Sequence, residues 1–265
     1  MKNNPIGIFD SGLGGLTVAG AVRKRLPYES IIYYGDTARV PYGSKSRETV
    51  VRFTWEAVQF FLDHNAKCIV VACNTASALA LPEIREKIDL PIIGVIKPGA
   101  SAAAKNTKNN KVGVIGTTAT INSEAYTEAI RKLKPESIIY AQPCPLFVPL
   151  VEEGWTNQEI TKLIIKEYLN PLRAAGIDTL VLGCTHYPLL VDPLRDFMGD
   201  GVTLVDSAST CAGELETLLK ESNLLASEQE SEESFFVTDM ATRFSELGAR
   251  FLGRQLQAIK VVGKE

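Results

Sequence analysis

The stretch VVACNTASALALP at residues 70–82 is answered by VLGCTHYPLLVDP at residues 181–193, with a cysteine closing an apolar run and a proline nine positions later in both. Short runs of this kind, rich in β-branched residues, read as strands. The small polar residues after them read as a turn opening a helix. Upstream of each, IGIFDSG from Ile6 and VGVIGTT from Val112 form a second matched pair, again a strand ending in a small polar turn. The predicted fold is therefore α/β, with two similar parallel-sheet domains related by pseudo-symmetry and the active site in the cleft between them. In that arrangement Cys73 and Cys184 are equivalent positions facing one another.

Other apolar runs extend the same rhythm: SIIYYG from Ser30, CIVVAC from Cys68, PIIGVI from Pro91, KVGVIG from Lys111, TLVLGC from Thr179 and VTLVD from Val202. Runs that are apolar throughout predict strands buried on both faces, so ligand chemistry belongs in the turns beyond their C-terminal ends. A helix is expected from Glu48 to Asn65 with Val51, Trp55, Val58 and Leu62 near one face. A second is expected from Asn157 to Ala175 with Ile160, Ile164, Tyr168 and Leu172. NTKNNK from Asn106 and the acidic ASEQESEES from Ala226 read as loops. The first domain is expected to comprise residues 1–97 plus 207–265, and the second 98–206.

With 265 residues, 45% apolar and 22% charged, and a formal charge of −3, the chain lacks the basic balance of a general nucleic-acid binder. A small anionic ligand must then be caught by local groups. The N-terminal MKNNPIGIFDSG has no apolar signal core, and the uncharged run from Cys68 to Leu81 is broken by Asn74, Thr75 and Ser77, so neither secretion nor membrane insertion is expected. The five cysteines include no CxxC pair and no His-rich companion segment; a reducing cytoplasm fits better than a disulfide framework or a zinc site.

A cysteine in an apolar run is ordinarily a small core residue. Here Cys73 precedes Asn74 and Thr75, and Cys184 precedes Thr185 and His186, which puts each thiol at a strand exit where helix amides favour thiolate. Two such thiols suit the inversion of a carbon acid. A proton returned to the face it left regenerates the starting enantiomer, so inversion needs one group as base and another, opposite, as acid. The intermediate also demands donors preorganised at the carboxylate.

DSGLGG from Asp10 completes neither GxGxxG nor GxxxxGK[ST], and a small carboxylate suits it better than a nucleotide. Asp10 reads either as a helix cap with Ser11 or as a group that orients an ammonium and assists Cys73. His186, two residues beyond Cys184, reads either as a structural histidine or as a proton-transfer partner. In GDTARVPYGSKS from Gly35, Tyr42 and the Gly43 amide can reach a carboxylate. Lys97-Pro98 marks a strand-to-helix turn instead of a Schiff-base site, and nothing indicates pyridoxal phosphate. A cysteine-dependent amidase, with His186 as base and Asp10 as orienter, and a noncatalytic amino-acid-binding protein remain open on these residues alone.

DSGLGG, GDTARVPYG, ACNTASA, GVIKPGA, GTTATI, CPLFVPLVEEG and GCTHYPLL together make the sequence closely resemble the bacterial glutamate racemases of the aspartate/glutamate racemase superfamily over nearly its whole length. The resemblance implies cofactor-independent interconversion of L-glutamate and D-glutamate for peptidoglycan synthesis, with Cys73 and Cys184 as the acid/base pair supported by Asp10 and His186. It implies substrate contacts at Asp10, Ser11, Tyr42, Gly43, Asn74, Thr75, Thr185 and His186, with Thr117, Thr120 and Glu152 as further positions. A cytoplasmic homodimer without metal is the form expected of such a protein.

Overall fold

In the computed structural model, which describes residues 2–228, 230–256 and 259–263, ten strands form two wholly parallel sheets. Strands β1 (Ile6–Asp10), β2 (Ile31–Gly35), β3 (Cys68–Val71) and β4 (Ile92–Gly94) belong to the first sheet. Next come β5 (Lys111–Gly116), β6 (Ile138–Pro143), β7 (Thr179–Gly183) and β8 (Thr203–Asp206), which make the second. The chain then returns to the first sheet with β9 (Glu233–Val237) and β10 (Ile259–Val261). The orders are β10-β9-β2-β1-β3-β4 and β6-β5-β7-β8. The run β2-β1-β3-β4 thus repeats as β6-β5-β7-β8, and the duplication read from the cysteine segments is a duplication of sheet topology. Each repeat reverses its winding direction between its first and third strands, the kind of switch point where a crevice opens beyond the strand ends.

Burial follows from composition. Every residue of β1, β3 and β7 is buried, as expected for apolar strands with helices on both faces. The first sheet separates one cluster around Ile8, Val70, Val22 and Leu215 from another around Phe9, Val71, Phe61 and Val58. The second sheet separates Leu182, Phe147 and Leu169 from Val114, Val181 and Ile130.

The two expected helices occur at Arg47–Asp63 and Glu159–Ala174, but each buries a face rotated by about one residue from that expected. The first buries Val50, Phe53, Ala57, Val58 and Phe61, leaving Leu62 exposed. The second buries Thr161, Ile165, Leu169 and Leu172, leaving Ile160 exposed. A broad apolar arc satisfies several registers of a 3.6-residue period, and the sheet underneath selects one.

The acidic stretch from Ala226 is only partly loop, because Glu233 and Ser234 begin β9; Gln229 lies outside the described residues. The Glu233 carboxylate accepts a 2.9 Å hydrogen bond from Arg23, which compensates an acidic residue at a strand start. The returning segment is pinned by Glu29 and Lys67, a buried ion pair whose partners also bond the Ala226 amide at 2.8 Å and the Leu224 carbonyl at 2.9 Å. Among the described residues, no helix is long and apolar enough to cross a membrane.

Candidate active site

Both switch points open into one cavity of about 310 Å³, lined from the first sheet's side by Ser11, Tyr42, Gly43, Cys73, Asn74 and Thr75. Thr117, Thr118, Val148, Glu152, Cys184, Thr185 and His186 line it from the second. Of the residues expected at the site, only Asp10 and Thr120 stay behind the wall. Neither is distant: Thr120 closes a ring of hydroxyls with Thr75 (3.2 Å) and Thr117 (3.0 Å), and Thr75 meets Thr117 across the cleft at 3.0 Å.

Cys73 follows β3 and caps the helix Asn74–Leu79, as the strand–cysteine–helix reading required. Its Sγ lies 3.5 Å from the Ser11 hydroxyl. The expected lowering of its pKa does not hold. Burial pushes the Cys73 thiol up to about 12, and the Asp10 carboxylate adds to the rise; the Ala76 amide and the Ser11 hydroxyl only offset part of it. Helix amides do act in the expected direction, but desolvation outweighs them.

Cys184 follows β7 and leads into a short 3₁₀ turn at Tyr187–Leu190, so its neighbour is not a helix amide but an imidazole. His186 Nδ1 stands 3.9 Å from Cys184 Sγ, and its Nε2 lies 3.1 Å from the Glu152 carboxylate. Burial alone would lower the imidazole's pKa. The hydrogen bonds and charges of Cys184 and Glu152 overcome that and push it up to about 10, which favours the protonated imidazole. Glu152 responds in the opposite sense: burial would raise it, but contact with His186 holds it below its ordinary value. The two thiols therefore sit in different surroundings, one beside a carboxylate and a hydroxyl, the other beside an imidazole that contacts a carboxylate.

Asp10 is wholly buried beneath Ser11. Its carboxylate accepts a 2.9 Å bond from the Gly12 amide and a 3.4 Å bond from the Thr185 hydroxyl, tying the two strand ends together. Burial raises its pKa, and His186, the Gly12 and Gly15 amides and Thr185 work against that rise. Asp10 does not cap the first helix, which starts at Leu16.

Tyr42 lines the cavity with its hydroxyl already committed, donating to the buried Asp36 carboxylate, which also accepts a 2.8 Å bond from Arg39. Gly14 shows why the first turn is glycine-rich, since a Cβ there would fall 2.2 Å from Thr185 Oγ1 and 2.5 Å from His186 Nδ1. Among the lining residues only His186 can carry positive charge; the other polar groups are hydroxyls, thiols, the Asn74 amide and the Glu152 and Glu153 carboxylates. Val148, Pro149 and Glu153 also line the cavity. The PLVEEG segment pointed there, but an apolar cavity wall looks like core in sequence.

The model of the Asp/Glu/Hydantoin racemase family matches residues 17–215. A glutamate racemase from Neisseria meningitidis serogroup B is 49% identical over 263 residues, covering 98% of this chain and 97% of that one. The fold is similar to a glutamate racemase isoform from Bacillus anthracis, with TM-score 0.96 and 41% identity over 100% of this chain and 99% of that one. It is also similar to the Francisella tularensis glutamate racemase solved with D-glutamate, with TM-score 0.94 and 41% identity over 99% of this chain and 98% of that one. With paired cysteines at duplicated strand ends and this likeness along its whole length, the chain belongs to the glutamate racemases of the Asp/Glu/Hydantoin racemase family.

Proposed function

We propose that the cavity interconverts L-glutamate and D-glutamate without a cofactor, Cys73 and Cys184 exchanging a proton with the α-carbon from opposite faces. The observation that carries this reading is the pair of cysteines at equivalent strand ends opening into one cavity, each with its own polar partner. One sulfur enters as thiolate and takes the α-proton. The electron pair left on carbon delocalises into the carboxylate, and the opposite thiol gives its proton to the other face. The sulfurs end with their protonation states exchanged, ready for the mirror-image reaction.

The substrate itself completes the electrostatics of the site. Its ammonium brings positive charge beside Asp10 and Cys73, which lowers the cost of a thiolate there. Its carboxylates are taken by the amide of Asn74, the hydroxyls of Thr75, Thr117 and Thr185, and backbone amides at Tyr42 and Gly43. Thr120 supports this set from behind. On the other face, His186, held cationic by Glu152, stabilises the Cys184 thiolate and then assists its reprotonation. Residues 1–97 plus 207–265 form one half of the enzyme and 98–206 the other. A cytoplasmic homodimer supplying D-glutamate to peptidoglycan synthesis completes the reading.

The purified protein, dialysed against chelator and without added pyridoxal phosphate, should bring either enantiomer of glutamate to an equal mixture, followed by optical rotation. Absence of turnover with glutamate alongside turnover of aspartate or a hydantoin would reject the substrate assignment.

Two variants test the supporting groups. Glu152→Gln removes the charge that keeps His186 protonated, so the imidazole loses its proton at lower pH. The alkaline limb of the pH profile of kcat/KM should move down by about one unit or more, and an unmoved limb would detach Glu152 from the reaction. Gly14→Ala places a Cβ against Thr185 and His186 and forces both side chains to shift. It should lower kcat/KM about tenfold or more, with a stability loss of about 1–3 kcal/mol read by thermal melting.

A further inference from the structure

Asn74 has one acceptor and two donors on its side-chain amide, and the structure uses only the acceptor: Oδ1 receives a 2.7 Å hydrogen bond from the Tyr126 hydroxyl, while Nδ2, buried at the cavity wall, has no partner among the described residues. Tyr126 lies on the helix Ala125–Leu133 of the second half and is itself buried, so this bond crosses between the halves. Its ring fits between two glycines. A Cβ at Gly99, in the connecting helix Ile96–Asn106, would lie 3.1 Å from the ring, as would one at Gly183, the residue before Cys184. Burial pushes the Tyr126 hydroxyl well above the ordinary tyrosine range, so it keeps its proton and remains a donor.

We propose that Tyr126 is a positioning residue that fixes the Asn74 amide with its NH₂ group toward the cavity, ready to donate to a carboxylate of the bound amino acid. This rests on the glutamate-binding role given to Asn74 above. An amide turned by 180° has nearly the same shape but presents oxygen, which repels a carboxylate. The Tyr126 oxygen could accept from a turned amide, but its own buried proton would then lose the acceptor it has in Asn74 Oδ1, and this favours the orientation seen. Because the tyrosine comes from the opposite half, the donor is set only when the halves are in register, and substrate binding is linked to their docking. Neither the sequence motifs nor the cavity lining includes Tyr126.

The test is a double-mutant cycle of Tyr126→Phe and Asn74→Ala, with KM and kcat measured for both enantiomers. Tyr126→Phe is expected to raise KM about tenfold, the effect of a lost buried hydrogen bond, with kcat changed by less than about twofold. Asn74→Ala should raise KM at least as much, and the double variant should be no worse than Asn74→Ala. A tyrosine that merely packs the core would instead lower the melting temperature, leave KM alone and add independently to Asn74→Ala. An unchanged KM in Tyr126→Phe, or additive effects in the double variant, overturns the positioning role while the Asn74 assignment stands. An unchanged KM in Asn74→Ala overturns both.

Discussion

Cys73→Ser and Cys184→Ser are each expected to lower kcat/KM for racemisation on the order of a thousandfold, within the range a positioned acid or base supplies. A serine hydroxyl is too weak an acid to become an accessible base at neutral pH, although it fills nearly the same space. Enantiomers have equal free energy, so each variant must lose kcat/KM equally in the two directions. The asymmetry of the site then shows in partial reactions. With one thiol left, the enantiomer whose α-hydrogen faces it can still give up that proton and receive a solvent deuteron on the same face, exchanging without inversion. The two variants should therefore exchange opposite enantiomers. Near-normal racemisation in either variant would rule out the two-thiol assignment, and exchange of the same enantiomer by both would rule out opposed faces.

Asp10→Asn should lower kcat/KM about a hundredfold while leaving the fold intact, because the asparagine carbonyl can still accept the 2.9 Å hydrogen bond from the Gly12 amide. What is lost is a buried negative charge positioned for the substrate ammonium. The charge also acts on Cys73, whose pKa it helps to raise. With that like charge removed, the Cys73 thiol ionises at lower pH, so the ascending limb of the profile should move toward acid even as the maximum falls. Full activity with an unmoved limb would mean that Asp10 is only a structural tie between Gly12 and Thr185.

The pairing of the two cysteines was legible because duplication left the same pattern twice: apolar strand, cysteine, polar turn. Seven strand segments were readable because each is a continuous apolar run. β6, β9 and β10 were not, since β6 and β10 lie at sheet edges and are only half-buried, and β9 starts with a charged residue neutralised by Arg23 from elsewhere in the chain. Tyr126 and the Asp36–Tyr42 bond escaped for a related reason: each depends on a contact or an orientation that no local motif encodes. Electrostatics was the least readable. Sequence placed Cys73 beside helix amides, but only its depth of burial and the proximity of Asp10 reveal that the thiol is pushed up to about 12.

The central claim, proton transfer by two opposed thiols, is tested most directly by incubating the unmodified enzyme with each enantiomer separately in deuterated water, following optical rotation and α-deuterium together. Thiol protons exchange with solvent before substrate binds. The expected result is that every molecule of inverted product formed at early times carries α-deuterium, while the remaining substrate keeps its protium. Inverted product that retains the original α-protium, or substrate that gains deuterium as fast as product appears, would indicate a single base serving both faces and contradict the two-thiol mechanism.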